Sequence, residues 1–468
     1  MTAALHELCR RVLRGRLSRN GLFALVQGVF TTLAAFLVYR LVILDVGLDR
    51  FGVWSLLMAC AMVARLLDVS GGGAVARFVA TASLGGRGEF GARDYVDTVV
   101  TTSLVLNLAL GLALWAVAPL ALPLFLRDPY LNEAWPLVPW AIAASILGAL
   151  AYAPISAIDG AQRADLRAAV VVGATLVFVA ASAILVPQFG IVGFAAAQVV
   201  QQVTMLLVGW AVLRRHVVGL GWAPSGWRRD VFMETTVYAL RLNAIGALSL
   251  LFEPLAKFAF NNAGGPGLVA LFELATRLVT QFRALIVTAA APLLPAFAAQ
   301  PNARDAAFRA LLEKATRIAV PGAVGITIAA LSAAPLASLL VLDGLSPELI
   351  GMNAALTAGW AVNTLALPFY FAAQGLGALR WNFAGQALIA ISVIVGAFFM
   401  VPIAGTPGLI GAIVAGLVFA TLVTLLGNAH AFGALDIVAG LRRYLLLGVV
   451  AVVSLCLTSG LAIIMAGI

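Results

Sequence analysis

Six basic and three acidic residues fall inside stretches of the sequence that are otherwise apolar: Arg40, Arg65, Arg241, Lys257, Arg277 and Arg283 against Asp68, Glu253 and Glu273. They are densest between residues 236 and 292, where two apolar segments are joined by the turn Asn261-Asn262-Ala263-Gly264-Gly265-Pro266-Gly267. Each segment is long enough to cross a bilayer, and one ionisable group at the bilayer centre costs roughly 2.5–3.5 kcal/mol or more. A chain tolerates that when the charge faces a partner or a water-filled cavity. Glu253 with Lys257 and Glu273 with Arg277 are spaced i,i+4 with the acid first, the better order for a helical ion pair. Arg241 and Arg283 have no such partner in their own helix. Six cations against three acids leave a surplus of three positive charges (6 − 3) within the apolar spans. A cavity with that surplus favours an anionic passenger. Asp68, Glu253 and Glu273 are the candidates for ion coupling or charge pairing.

The elements that must position these residues follow from composition. Of the 468 residues 63% are hydrophobic and only 10% charged, and mean hydropathy is +1.05. That places the chain among all-α polytopic membrane proteins. A net charge of +9 is in the range of nucleic-acid binders, but 27 of the 29 basic residues are Arg, mostly in short connections between apolar runs. Topology explains the excess, and nucleic acid is not expected as a partner. Cys9, Cys60 and Cys456 have no framework or metal spacing, and His6, His216 and His430 fall in polar connections, so neither a metal nor another cofactor is expected. Residues 3–19 alternate Leu5, Leu8, Val12 and Leu13 with five arginines and read as an amphipathic segment on an anionic leaflet. Thirteen apolar spans follow, near 22–44, 52–70, 96–118, 136–157, 168–187, 191–213, 236–260, 268–291, 318–340, 354–374, 383–402, 408–427 and 444–467. Alternate connections hold 21 basic residues on one side and only Arg50 and Arg127 on the other. This places the N-terminus in the cytoplasm and the chain in the inner membrane.

An internal repeat organises the spans. "APLALPLFL" at 118–126 matches "APLASLLVL" at 334–342 in six of nine positions. Pro187-x-x-Gly190-x-x-Gly193 recurs as Pro402-x-x-Gly405-x-x-Gly408, and Gly160 as Gly375, both at an offset of 215. The expected organisation is a cytoplasmic segment 1–20, a six-helix lobe 21–216, a linker 217–235, a second six-helix lobe 236–428, and a cytoplasmic loop with one additional helix over 429–468. Six spans separate equivalent positions, so the copies run in parallel, with a site expected between them.

Several stretches carry a resemblance. "LDRFGVWSL" at 48–56, Asp68 followed by "GGGAVARFVA" at 71–80, "DGAQRADLR" at 159–167, "FGIVGFAAAQ" at 189–198 and "EPLAKFAFNNAGGPGLVALFELATRL" at 253–278 resemble the polysaccharide, or O-antigen, flippase family of the multidrug/oligosaccharidyl-lipid/polysaccharide exporter superfamily. The resemblance implies a two-lobed carrier that turns an undecaprenyl-diphosphate-linked glycan from the cytoplasmic to the periplasmic leaflet by alternating access. Its partners would be that lipid-linked oligosaccharide, membrane lipids and other polysaccharide assembly proteins. It also implies that Arg40, Arg65, Arg241, Lys257, Arg277 and Arg283 line a substrate-binding cavity. Arg283 is about 22 Å from the start of its span near residue 268, counted at 1.5 Å per residue, and Arg241 approaches the same inner half from the other direction. A guanidinium fork suits a diphosphate, so these two are expected to hold it, with Lys257 and Arg277 nearer the outer gate. The chain departs from the family with Glu253 where Asp is frequent in span 7, and with Phe272 where an aromatic hydroxyl is frequent.

Other readings share part of this evidence. A multidrug exporter of the same superfamily would have the same fold but would call for unpaired acids in the first lobe, where Asp68, three residues after Arg65, is the only intramembrane acid. A lipid II flippase would share the cationic cavity. A membrane glycan polymerase or ligase would need a sizeable outer loop with acid, base or nucleophile, and the longest, around 119–135, offers Arg127, Asp128 and Glu133; no catalytic set assembles, and an enzyme is not expected. Gly71-Gly72-Gly73 lacks the Lys of a phosphate cradle and reads as a break in span 2.

Overall fold

The computed structural model describes residues 16–65, 70–72, 75–83, 90–300 and 302–465. No strand occurs among them, and the chain is an all-α, multi-pass membrane protein. It divides into two compact units, Met1–Gly246 and Ala247–Ile468. The helices are α1 (Arg16–Val46), α2 (Leu48–Arg65), the short α3 (Val75–Ser83), α4 (Ala92–Phe125), α5 (Val138–Gly160) and α6 (Ala164–Arg214). Then follow α7 (Arg229–Gly264), α8 (Pro266–Ala290), the short α9 (Leu293–Ala298), α10 (Ala306–Leu342), α11 (Pro347–Thr364), α12 (Leu367–Leu376), α13 (Arg380–Val395), α14 (Val401–Ala431) and α15 (Leu435–Met465), with a π-helical turn at Gly396–Met400 between α13 and α14. The expected amphipathic segment lies outside the described residues up to position 15.

The helices are inverted relative to those of a soluble protein. Along α4, Leu104, Leu108, Leu112 and Trp115 recur at helical spacing on the outside, while Ser103, Asn107 and Gly111 face inward. Asn107 Nδ2 donates to the Ser103 carbonyl oxygen at 2.9 Å. Hydrocarbon outside and satisfied polar groups inside is the arrangement a lipid solvent demands. Small residues then permit close helix approach.

Seven continuous helical stretches among the described residues are long and apolar enough to cross a membrane. Two of them, Ala164–Arg214 and Arg380–Ala431, hold 51 and 52 residues, about 76 Å if straight and roughly twice the thickness of a bilayer. Both double back. Gly190 has φ 57° and ψ −132°, and Gly405 has φ 59° and ψ −145°. Three residues beyond each kink, a methyl group on Gly193 would overlap the Leu185 carbonyl oxygen, and one on Gly408 would lie 2.6 Å from that of Met400. Residues eight apart in a straight helix are about 12 Å apart, so only a hairpin brings them together. The repeated Pro-x-x-Gly-x-x-Gly motif is thus the code for a tight helical hairpin, made twice with nearly the same backbone. Gly193→Ala should cost about 1–3 kcal/mol through overpacking. It should therefore lower the thermal midpoint of the purified protein, whereas Gly173→Ala, which meets nothing within 4 Å, should not.

Other expected spans are helical but bear charge. α2 contains Asp49, Arg50 and Arg65, and α8 contains Glu273, Arg277 and Arg283. α2 ends at Arg65, and the chain passes Gly71 at φ 83° before α3 begins at Val75. The glycine run does break the second span. The turn between α7 and α8 is tighter than the sequence suggested: Asn261–Gly264 stay helical and Gly265 alone, at φ 83°, reverses the chain. Pro266 opens α8 at the first helical position, where its missing N–H costs nothing. The span expected over 354–374 is not continuous. It divides at Leu365-Ala366 into α11 and α12, whereas α5 runs through Pro154 without a break.

Candidate functional site

Within the second unit, the α7–α8 hairpin fixes two charged residues at one level. Lys257 lies seven residues before Gly264, the end of α7, and Glu273 seven residues after Pro266, the start of α8. Each is therefore about 10 Å from the turn. Lys257 Nζ is 2.6 Å from Glu273 Oε2 and 2.7 Å from Glu253 Oε1, and the lysine is only 4% exposed. The i,i+4 pair expected on α7 forms. On α8, Arg277 is 3.6 Å from Glu273, a looser contact, because the acid already serves Lys257 across the hairpin. Two cations and two acids make this cluster neutral. Its surroundings are apolar: Phe260 stacks on Phe272 at 4.7 Å, and Phe252 meets Phe272 edge-on at 6.4 Å. Phe272 is fully buried in that row, so the missing hydroxyl is replaced by packing.

Arg283 is different. It lies 17 residues into α8 from Pro266, about 26 Å from the turn, and among the described residues it pairs with no carboxylate. Its guanidinium carbon is 4.5 Å from the centre of the Trp360 ring, and Nη2 donates to Asn363 Oδ1 at 3.3 Å. Asn363 Nδ2 donates in turn to Thr421 Oγ1 at 3.2 Å. Trp360 meets Phe252 edge-on at 5.6 Å, which joins this group to the aromatic row around Lys257. Arg283 Nε, Trp360 Nε1 and Thr357 Oγ1 are buried with no hydrogen-bond partner, and buried groups of that kind call for an explanation. Asn363 also stands at the end of α11 where the span divides, with Leu365 N donating to Val362 O and Ala366 N to Asn363 O. Irregular backbone at membrane depth is tolerated where it lines a cavity or a site. The arrangement gathers one positive charge, three buried polar groups without a partner and a helix break along α8 and α11.

The remaining expected site residues are less fully described. Arg40 lies half-buried on α1. Arg65 ends α2 and Arg241 lies on α7, but their side chains are outside the described residues, and so is Asp68 altogether. Trp360 and Asn363 were not singled out by sequence. Both are neutral residues in an apolar span, and the nearest signal was the Pro368 that follows the break.

Hairpins, the broken span and charges buried between apolar helices describe a polytopic carrier-like fold, and solved structures share it. No family model and no curated protein match the sequence. An inward-facing multidrug resistance MATE family transporter of the MOP superfamily is similar over 87% of this chain and 95% of its own, with a TM-score of 0.69 and 19% identity. The Vibrio cholerae MATE transporter VcmN is similar over 90% of this chain and 97% of its own, with a TM-score of 0.66 and 17% identity. A MOP superfamily transporter from Pyrococcus furiosus, described as having a binding pocket of reverse polarity that suggests a different function, is similar over 91% of this chain and 98% of its own, with a TM-score of 0.63 and 18% identity. The chain therefore has the fold of the MATE transporters of the MOP superfamily.

Proposed function

We propose that the protein is a flippase of the inner membrane that carries an undecaprenyl-diphosphate-linked oligosaccharide from the cytoplasmic to the periplasmic leaflet by alternating access. The observation that carries this reading is Arg283, half-buried beside Trp360 and Asn363 with no carboxylate partner among the described residues. The nearby cations Lys257 and Arg277 are matched by Glu253 and Glu273, so Arg283 is the charge that remains for a ligand. Its neighbours offer donors in surplus, which suits a ligand rich in acceptor oxygens such as a diphosphate or an acidic sugar. Arg40, Arg65 and Arg241 are the further basic candidates, with Lys257 and Arg277 nearer the outer gate. The direct test is a leaflet-exchange assay in reconstituted vesicles with a labelled undecaprenyl-diphosphate oligosaccharide. Exchange above protein-free vesicles supports the reading, and none would reject it.

A second reading is favoured by the names of the structural counterparts, which include multidrug transporters. A multidrug exporter would expel cationic dyes from whole cells, and Glu253, with its side chain 36% exposed, would be the more accessible acid of the α7–α8 cluster. Dye efflux lost in a Glu253→Gln variant, with no glycan exchange, would select this reading over the first.

The N-terminus is assigned to the cytoplasm from the arginine asymmetry of the connections. A reporter fused after Arg214 should report a cytoplasmic location, and one fused after Gly264 a periplasmic one. The reverse at either site would invalidate the orientation.

A further inference from the structure

α6 ends at Arg214, but its hydrogen bonding runs on: Arg215 N donates to Val212 O at 3.1 Å, and His216 N and Val217 N both donate to Leu213 O at 2.9 Å. The two faces of this extended turn are unlike. Trp210, Leu213, Val217 and Leu220 are buried in a core with Val96, Val99 and Val100 of α4. The opposite face carries Leu207, Ala211, Arg215 and Val218, all exposed and spaced by three or four residues. It continues the outward apolar stripe of α6 past the end of the helix.

Two large apolar residues on this segment have almost no protein cover. Val218 is 96% exposed and Trp222 is 82% exposed. They are not on a loose loop. Arg214 stands 3.5 Å from the Trp222 ring centre and donates through Nε to Leu220 O at 3.3 Å. Downstream, Arg93 Nη2 donates to Ser225 Oγ, Trp227 Nε1 to Thr102 Oγ1 and Arg228 N to Thr98 Oγ1, each at 3.2 Å. The segment is fastened to α4 with its tryptophan and valine turned away.

We propose that the turn 214–222 binds the headgroup of an anionic phospholipid. Arg214 and Arg215 would engage the phosphate, with Val218 and Trp222 seated at the boundary between headgroups and acyl chains. The occupant follows from three features. The exposed face is continuous with the lipid-facing side of α6, so the same solvent meets both. Tryptophan prefers the level of the headgroups, where its ring is half in an apolar and half in a wet layer. Basic residues at that level attract anionic lipid by about 1 kcal/mol each. Arg214 is already held in place by Trp222 and Leu220, so little side-chain freedom remains to be lost on binding.

The test uses the full-length protein, purified in a phosphatidylcholine-only background and titrated with phosphatidylglycerol, with thermal midpoint and bound lipid counted by native mass spectrometry as readouts. Phosphatidylglycerol should raise the midpoint and remain bound, while inorganic phosphate at the same concentration should do neither. An Arg214→Gln/Arg215→Gln double variant should bind the lipid roughly 30-fold more weakly, at about fivefold per arginine. If that variant folds poorly, Arg215→Gln alone, at an exposed position, should show the fivefold loss. Undiminished lipid binding in these variants would overturn the proposal. So would stabilisation by inorganic phosphate alone, which would indicate a free anion, or by a soluble cell fraction but not by lipid, which would indicate a protein partner.

Discussion

Replacing Arg283 with Ala should abolish the proposed glycan export while leaving the protein folded, inserted and at normal abundance. The side chain lies about 26 Å along α8 from the hairpin turn, makes one hydrogen bond to Asn363 and stacks on Trp360. It forms no ion pair among the described residues, so its removal leaves no buried acid unpaired and little structural penalty is expected. What disappears is the charge and the planar fork. Arg283→Lys should restore transport only in part, because an ammonium keeps the charge but cannot donate two parallel hydrogen bonds from one plane. Asn363→Ala should give an intermediate defect, since it releases the arginine without discharging it. Export by Arg283→Ala at the wild-type rate would remove the anion site and leave a structural role for the residue.

The second large effect is expected at Lys257 and is of the opposite kind. Lys257→Met would leave the buried Glu273 facing Glu253 with no ammonium between them, beside the Phe252–Phe272–Phe260 row. Breaking a buried pair by removing one partner costs about 3–5 kcal/mol. The variant should therefore be recovered in low yield with a strongly lowered thermal midpoint. Neutralising the acids as well, in Lys257→Met/Glu253→Gln/Glu273→Gln, should recover much of the lost stability, because no carboxylate is left without its ammonium and the remaining Arg277 side chain is solvent-accessible. If Lys257→Met were as stable as the parent, the cluster would not be holding α7 against α8. The two variants would thus separate roles that composition alone leaves mixed: one residue whose loss is expected to remove the proposed transport, and one whose loss is expected to remove the fold.

Much of this arrangement follows from residue spacing. The all-α membrane fold is legible because hydrocarbon-facing helices need long apolar runs, and the Pro-x-x-Gly-x-x-Gly repeat marks the two equivalent connections at which the chain doubles back. The link from Lys257 to Glu273 was also within reach of counting, since the two residues are equidistant from the turn. The sequence reading looked for partners inside each helix, where i,i+4 spacing applies, and so overlooked the one across the hairpin. Trp360 and Asn363 left no such trace. A neutral side chain on an apolar helix has no periodicity to betray which way it points, and only packing of α8 against α11 brings it to Arg283. The division of α11 from α12 was hidden for a related reason: Pro368 marks the start of a helix as readily as the interruption of one.

That division has a consequence for how the molecule could change over evolutionary time. Both copies of the duplicated hairpin keep the same kink, at Gly190 and at Gly405, but only one copy has opened its neighbouring span, beside Asn363. Under the proposed function, only the second copy then carries an interrupted span at its site. Adaptation to a new cargo should therefore accumulate asymmetrically. Selected variants should cluster around residues 357–368 and 283, and the positions 215 before 357–368, which lie within the unbroken α5, should stay under constraint for packing alone.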